Sequence, residues 1–119
     1  MTKGKVVLVP FPFDDLSTTK VRPAVCLTEP VGPHRHVVLA FVTSQTPSPL
    51  LDADLALDAN HPQFSATGLR VSSTLRLHRL MTVTTALVRR ELGVLPADLM
   101  DDVAEKLRQL FGLAASPSS

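Results

Sequence analysis

The sequence predicts a mainly β fold, a small and strongly bent β-barrel of five or six short strands followed by one helix. Short runs rich in Val and Leu recur along the chain between Pro, Gly and other turn formers. Only the stretch from Pro96 to Phe111 has apolar residues at strong helical spacing. With 119 residues, the chain can build one modest core. We therefore expect a single domain over residues 1–113 and a short flexible tail over residues 114–119.

Six apolar segments are predicted to form the strands. They are Lys5 to Val9, Val21 to Leu27, Val37 to Gln45, Leu51 to Leu57, Val71 to Leu80 and Val88 to Leu95. Pro10 and Pro12 are expected to stop regular pairing and to begin a polar loop that ends at Lys20. In the fifth segment Leu80 breaks the two-residue alternation, which predicts a bulge or bend near His78 or Arg79. A corner is expected over residues 82–87.

The predicted helix has charges suited to each of its ends. Asp98 and its acidic neighbours favour the N-terminal turns, whereas Lys106 and Arg108 favour the C-terminal turn. Gly112 can then cap the last turn. The apolar stripe of this helix is expected to pack on the sheet.

Composition and charge exclude several classes of protein. The apolar runs are too short to cross a bilayer, and the N-terminus lacks the apolar region of a signal peptide. The single Cys26 cannot form an internal disulfide, so we expect a buried thiol in a reducing cytoplasm.

The net charge is only +1, but residues 59–90 contain no acid. That stretch permits a basic face, although such charges are more often an ordinary solvated surface. Its arginines are Arg70, Arg76, Arg79, Arg89 and Arg90.

A candidate anion site arises where the second and third predicted strands meet. If they pair as an antiparallel hairpin folded near residues 32–33, Arg22 and Thr43 lie at the same end of the sheet. A guanidinium facing hydroxyl and amide groups is suited to a phosphate. The long connection does not define the register, and an ordinary edge arginine in a salt bridge is the alternative interpretation.

The histidines do not form a recognisable metal site. His34 and His36 fall in or beside the hairpin turn, far from Arg22, and are expected to be exposed. His61 lies in a loop with no neighbours that place it. His78 shares a strand face with Arg76 and could join a basic surface. The sequence has no zinc-ligand spacing and no Gly-rich phosphate loop, so no metal and no cofactor are expected.

Several blocks of the chain, taken together and in order, resemble the MazF/PemK family of bacterial toxins. They are Val7-Leu8-Val9-Pro10-Phe11-Pro12-Phe13, Val21-Arg22-Pro23-Ala24-Val25, Val42-Thr43-Ser44-Gln45, Gly68-Leu69, and Leu75-Arg76-Leu77 with Leu80. The resemblance implies an SH3-like barrel of five to seven strands and a homodimer. It also implies a metal-independent endoribonuclease that cuts single-stranded RNA, and a cognate antitoxin whose tail occupies the RNA groove.

The resemblance also assigns roles to particular residues. Arg22 matches the catalytic arginine of the family and Thr43 its catalytic threonine. The implied reaction is attack of a ribose 2′-OH on the adjacent phosphate, leaving a 2′,3′-cyclic phosphate and a 5′-OH. The residues expected to contact RNA are Lys20, Ser44, Gln45, Arg76 and His78.

Two positions depart from the pattern of the family, and two other functions remain open. Lys5 stands where members usually have Asp, and His78 stands where many have an acid. Both changes make the surface more basic, and we expect them to bear on the dimer contacts and the choice of RNA sequence more than on the fold. A CcdB-type toxin poisons DNA gyrase by binding, on a related barrel. A non-catalytic SH3-like module that binds a partner protein is the second alternative.

Overall fold

The computed structural model describes residues 2–12 and 19–114. Within these ranges the chain forms six strands and one α-helix, with short 3₁₀ turns at Phe64–Thr67 and Thr85–Leu87. The elements are β1 (Lys5–Pro12), β2 (Thr19–Cys26), β3 (His36–Thr43), β4 (Asp54–Leu57), β5 (Ser73–Thr84), β6 (Arg90–Val94) and α1 (Ala97–Phe111). The predicted C-terminal tail, apart from Ala114, and residues 13–18 of the predicted polar loop lie outside the described residues.

The six strands form one curled antiparallel sheet in the order β4-β5-β3-β2-β1-β6. The sheet is a half-barrel, and the predicted mainly β fold with a C-terminal helix is confirmed. Strand β5 is bent where it crosses β3, since Ala40 pairs with Leu80 but the next residue, Phe41, pairs with Arg76. Residues 77–79 therefore have no partner on β3 and form the bulge that the broken alternation of the sequence predicted.

Apolar residues on both faces of the central strands are buried. On one face, Leu99 and Val103 of α1 pack with Val25, Val42 and other strand residues. The opposite face has its own cluster, whose members include Val7, Val9, Ala24, Cys26, Leu39 and Phe41. Helix α1 ends as predicted, with Gly112 at φ +67 and its N–H bonded to the carbonyls of Arg108 and Gln109. No helix among the described residues is both long and apolar enough to span a membrane.

The prolines of β1 do not end the strand as expected. Pro10 pairs with Val21 and Pro12 with Thr19, so the strand continues through both. The reason lies in the sheet, because β6 pairs with β1 only from Lys5 to Leu8. Beyond Leu8 the described part of β1 pairs with β2 alone and is therefore an edge strand. A proline is tolerated in an edge strand because the open edge has no neighbouring strand that needs its N–H as a hydrogen-bond donor.

Other strand limits also differ from the expectation. Strand β5 continues to Thr84, and the corner narrows to the 3₁₀ turn that follows it. Strand β4 begins at Asp54 rather than Leu51 because the Asp54 carboxylate accepts the N–H of Leu51, at 2.8 Å, and forms a turn there.

The turn at residues 64–67 packs closely against β6, which is an edge strand of the sheet. A Cβ placed on Gly93 would lie 2.1 Å from the carbonyl oxygen of Ala66, and one on Gly68 would lie 2.2 Å from that of Leu92. Gly68 also has a φ of +74, a conformation that other residues adopt at a cost. The contact between this turn and β6 therefore requires glycine on both sides.

We predict that Gly93→Ala destabilises the protein by about 1–3 kcal/mol, because the added methyl group meets backbone atoms that cannot rotate away. Chemical denaturation measures the change. The exposed neighbour substitution Val94→Ala is the control and should cost less. An unchanged free energy of unfolding for Gly93→Ala would contradict the close packing described above.

An ion pair joins β4 to β5 next to the bulge. Arg76 donates from Nε to Oδ1 of Asp54, at 2.9 Å, and from a terminal nitrogen to Oδ2, at 3.3 Å. The Asp54 side chain has no exposed surface, whereas that of Arg76 is 20 % exposed. Burial acts to raise the pKa of Asp54, but the bonds from Arg76 and Leu51, together with nearby positive charge, hold the pKa below its usual value.

We predict that Asp54→Asn lowers the free energy of unfolding at neutral pH, on the order of 3 kcal/mol, because it leaves a largely buried guanidinium without its counter-charge. The depressed pKa means that the stabilisation is present above the unfolded-state value of about 4 and is lost as pH falls through the folded-state pKa. The stability gap between wild type and variant should therefore narrow in acid.

Denaturant titrations at neutral and acid pH measure this gap. Asp52→Asn, two residues away and exposed, is the matched control and should change stability little at either pH. A gap for Asp54→Asn that stays constant with pH would show that the ion pair does not titrate as described.

Candidate active site

Arg22 and Thr43 lie at the same end of the sheet on neighbouring strands. The β2–β3 ladder pairs Ala24 with Phe41, Val25 with Ala40 and Cys26 with Leu39. Beyond the last of these pairs, β2 runs back to Arg22 and β3 runs on to Thr43, so the two residues lie at the same end of the sheet, where both line one cleft. Because side chains alternate along a strand, Arg22, Ala24, Phe41 and Thr43 project from one face. Arg22 and Thr43 are therefore at the same end of the sheet, as predicted. The sequence did not determine from which face they project, and the structure shows that it is the face that carries Phe41.

A cleft of about 180 Å³ opens at this end of the sheet. Arg22, Thr43, Ser44 and Gln45 line it, as predicted for a phosphate site. The remaining lining residues are Pro23, Phe41, Val42 and Ser73. The cleft thus offers one guanidinium, several hydroxyls and an amide, without a carboxylate among its described lining residues. Such a set binds an anion by charge and by directed hydrogen bonds.

The backbone just beyond β3 orients the hydroxyl of Thr43. Thr43 Oγ1 accepts the backbone N–H of Gln45 at 3.2 Å. Since the oxygen accepts this bond, its own proton can be donated to another group, and a phosphate or ribose oxygen in the cleft is a suitable acceptor. The same bond turns the chain after β3, which brings Ser44 and Gln45 to the cleft.

Phe41 is an apolar residue of the cleft lining, and a cation packs on its ring. The Arg79 guanidinium lies over the Phe41 ring, 5.0 Å from its centroid, within the usual range for a cation–π contact. Arg79 belongs to the bulge of β5, so the bend predicted from the sequence supports one wall of the site. This contribution of Arg79 and Phe41 to the site was not predicted, because it depends on the sheet bringing residues 41 and 79 together.

Three of the predicted RNA contacts lie outside the cleft lining. Lys20 is exposed on β2, two residues from Arg22 and on the same face. Arg76 is bound to Asp54, and His78 is exposed on the bulge. Their contact with RNA remains a prediction. Of the two departures from the family pattern, Lys5 lies 4.0 Å from Glu91 of β6, a long surface pair.

The histidines of the hairpin are exposed, as expected, and their rings lie 5.9 Å apart. His61, which the sequence could not place, binds α1: its Nε2 lies 2.7 Å from Oδ2 of Asp98, and its Nδ1 accepts the N–H of Gln63. This bond is the main cause of the lowered pKa of Asp98. In the described parts of the chain, no three His, Cys, Asp or Glu residues are grouped as metal ligands.

A second cavity, of about 340 Å³, adjoins the first and shares Pro23, Ser44 and Ser73 with it. Arg70 and Arg90 line it together with apolar side chains. Neither arginine was singled out as a site residue from the sequence. The only sequence signal was the acid-free stretch over residues 59–90, which contains both arginines but does not distinguish them from the other cations.

The fold and the cleft together describe a small curled β-sheet protein with a cleft lined by an arginine and a threonine at the end of two central strands. Residues 2–111 match the family described as PemK-like, MazF-like toxin of type II toxin-antitoxin system. The chain therefore belongs to this family of toxins, as the sequence blocks predicted. Toxins of this family are, in general, endoribonucleases. No curated protein matches the chain in sequence.

Solved structures show the same fold at low sequence identity. The Mycobacterium tuberculosis toxin MazF-mt6 is 20 % identical, with a TM-score of 0.71 over 93 % of this chain and 99 % of its own. The MazE-MazF complex from Deinococcus radiodurans (Form-II) gives 21 % identity and a TM-score of 0.73, covering 96 % and 97 % of the two chains. An endoribonuclease in complex with its cognate antitoxin from Mycobacterial species is 15 % identical and has a TM-score of 0.68. The match covers 98 % of this chain and 99 % of that chain.

Proposed function

We propose that this protein is the toxin of a type II toxin-antitoxin system and acts as a metal-independent endoribonuclease on single-stranded RNA. The observation that carries the proposal is the antiparallel pairing of β2 with β3, which brings Arg22 and Thr43 to one end of the sheet, where both line the same cleft. Membership of the toxin family supports the same activity. The cleft has room for a phosphate flanked by hydroxyl donors.

In the proposed reaction the 2′-oxygen of a ribose forms a bond to the adjacent phosphorus, and the bond from phosphorus to the 5′-oxygen breaks. The products are a 2′,3′-cyclic phosphate and a 5′-OH. Arg22 stabilises the charge that develops on the phosphorane oxygens, and Thr43 holds the phosphate or the attacking hydroxyl through its O–H. Charge stabilisation suits Arg22 better than proton abstraction, because a guanidinium hardly loses its proton in a protein.

The proposal extends to the partners of the toxin. We infer a homodimer and a cognate antitoxin that blocks the RNA groove, in a cytoplasmic protein. Two structural relatives are described with an antitoxin or with MazE, which supports an antitoxin for this chain as well. A sedimentation measurement on the purified chain tests the dimer directly.

We predict that Arg22→Ala abolishes cleavage of a long single-stranded RNA, because the charge that stabilises the transition state is removed. Arg22→Lys should also lose most of the activity, since an ammonium ion keeps the charge but not the planar fork. Wild-type cuts should recur at a short motif and carry 5′-OH ends, with or without EDTA. Mapping the cut ends measures both predictions.

Arg108→Ala is the matched control, because it removes a guanidinium from the last turn of α1, where it forms only a partly exposed pair with Glu105. This variant should cut like wild type. Full activity in Arg22→Ala would contradict the assignment of the site. Uncut RNA from a folded wild-type protein would contradict the nuclease itself and would direct the search to gyrase or another protein target.

We predict that Thr43→Val lowers the cleavage rate by about 10²–10³-fold, because a hydroxyl donor is replaced by a methyl group of similar shape. Thr43→Ser, which keeps the hydroxyl, should retain most of the activity. Single-turnover cleavage of the mapped RNA measures the rates. Equal loss in the two variants would indicate that packing at this position matters and that the hydroxyl does not.

A further inference from the structure

The second cavity lies beside the cleft in a defined row of the sheet. Leu8 of β1 pairs with Pro23 of β2 on one side and with Arg90 of β6 on the other. Residues paired across strands share a face, so these three side chains form one row across three strands. Strands are about 4.8 Å apart, which puts the Arg90 and Pro23 backbones roughly 10 Å apart. Arg22 directly precedes Pro23 in β2, so its side chain projects from the opposite face of the sheet.

Arg70 also lines this cavity. It lies two residues after Gly68, which packs against Leu92 of β6 and so holds the segment near the strand. Leu69, Val71 and Leu92 are among the apolar residues of the lining. Arg70 and Arg90 are both exposed, and the described residues that line the cavity include no acid.

The cavity combines features that suit a nucleotide. An apolar wall can cover one face of a base, an arginine plane can stack on a base, and guanidinium groups bind phosphate. Its volume of about 340 Å³ is near the lower end of the range for ligand cavities, roughly 300–1,000 Å³. The Leu8–Pro23–Arg90 row faces the other side of the sheet from Arg22, but Pro23, Ser44 and Ser73 line both cavities, so the two cavities meet at this end of the sheet. A strand of RNA that leaves the Arg22 cleft there can enter the second cavity.

We propose that this second cavity is a subsite for the nucleotide next to the cleaved phosphate, with Arg70 and Arg90 binding the flanking phosphate and base. The inference rests on the proposed function, since it treats the Arg22 cleft as the place of cleavage. The subsite supplies affinity and selects the neighbouring base, whereas Arg22 and Thr43 supply the chemistry.

The first test measures binding without cleavage. The probe is a short, fluorescein-labelled oligoribonucleotide of random sequence in which every 2′-OH is replaced by fluorine, so that the attacking group is absent. Fluorescence anisotropy then gives the affinity for wild type, Arg70→Ala, Arg90→Ala and Arg89→Ala. Arg89 is the matched control: it is an exposed arginine beside Arg90 that does not line the cavity.

We predict that Arg70→Ala and Arg90→Ala each weaken binding about tenfold, the usual effect of removing a hydrogen bond to a charged group. The slope of log affinity against log salt, measured between about 50 and 200 mM, should fall by about 0.7 for each phosphate that the variant no longer neutralises. Arg89→Ala should bind like wild type and keep its slope.

A second pair of variants tests the charge of the cavity itself. Val71 is 54 % exposed at the rim, so it can be replaced without disturbing the core. Val71→Asp and Val71→Asn differ in little but charge. The aspartate should weaken binding severalfold more than the asparagine, and equal affinities would argue against a phosphate in this cavity.

The outcomes separate the subsite from the nuclease. Unchanged binding in Arg70→Ala and Arg90→Ala overturns the subsite, and so does an equal loss in all three arginine variants, which would mean a diffuse basic surface. A wild-type protein that does not bind the probe also overturns it. If the two variants lose affinity but wild type leaves long RNA uncut, the subsite stands and the proposed nuclease fails. If wild type cuts long RNA, Arg22→Ala does not, and the cavity variants bind the probe like wild type, the proposed nuclease stands and the subsite fails.

Discussion

The antiparallel pairing of β2 with β3 is the interaction on which the site depends. Ala24, Val25 and Cys26 are fully buried, and so are their neighbours Leu39 and Ala40 across the ladder. Burial on both faces resists a shift in register, since moving either strand by one residue would exchange every side chain between two packed faces. The proline after Arg22 also favours an extended backbone at the arginine. Arg22 and Thr43 are consequently held by a rigid core rather than by a loop.

The long bent strand β5 connects this central pair of strands to the outer strand β4. Its first part pairs with both β3 and β4, and its second part continues along β3 in a shifted register. The bulge between these parts orients Arg79 over Phe41 at the cleft, while the Asp54–Arg76 pair secures β4 beside it. Bulges often occur next to active sites because they redirect a side chain without interrupting the sheet. Arg76 therefore has a defined structural role next to the cleft, whatever it contributes to RNA.

The charges of the protein are distributed in a way that the net value of +1 conceals. Arg22, Arg70 and Arg90 line two adjoining cavities, whereas the acids of α1 lie on a separate element. A polyanion would meet this surface mainly through guanidinium groups, because the chain has no Trp or Tyr to provide a stacking platform. An almost neutral domain can in this way carry a locally basic surface.

The sequence by itself determined the local features: the β class, the single helix with its Gly112 cap and the bulge in β5. These follow from alternation, turn residues and helical spacing, which act between neighbours in the chain. The meeting of Arg22 with Thr43 was predicted only if the two strands pair as a hairpin, and the tertiary structure supplies that pairing. Only the tertiary structure decided that Pro10 and Pro12 continue a strand, because that depends on where β6 stops pairing. It also decided that Arg76 binds Asp54 and that Arg70 and Arg90 share a cavity. These contacts join segments distant in sequence, and their free energies depend on burial and register across the whole sheet, which no local pattern contains.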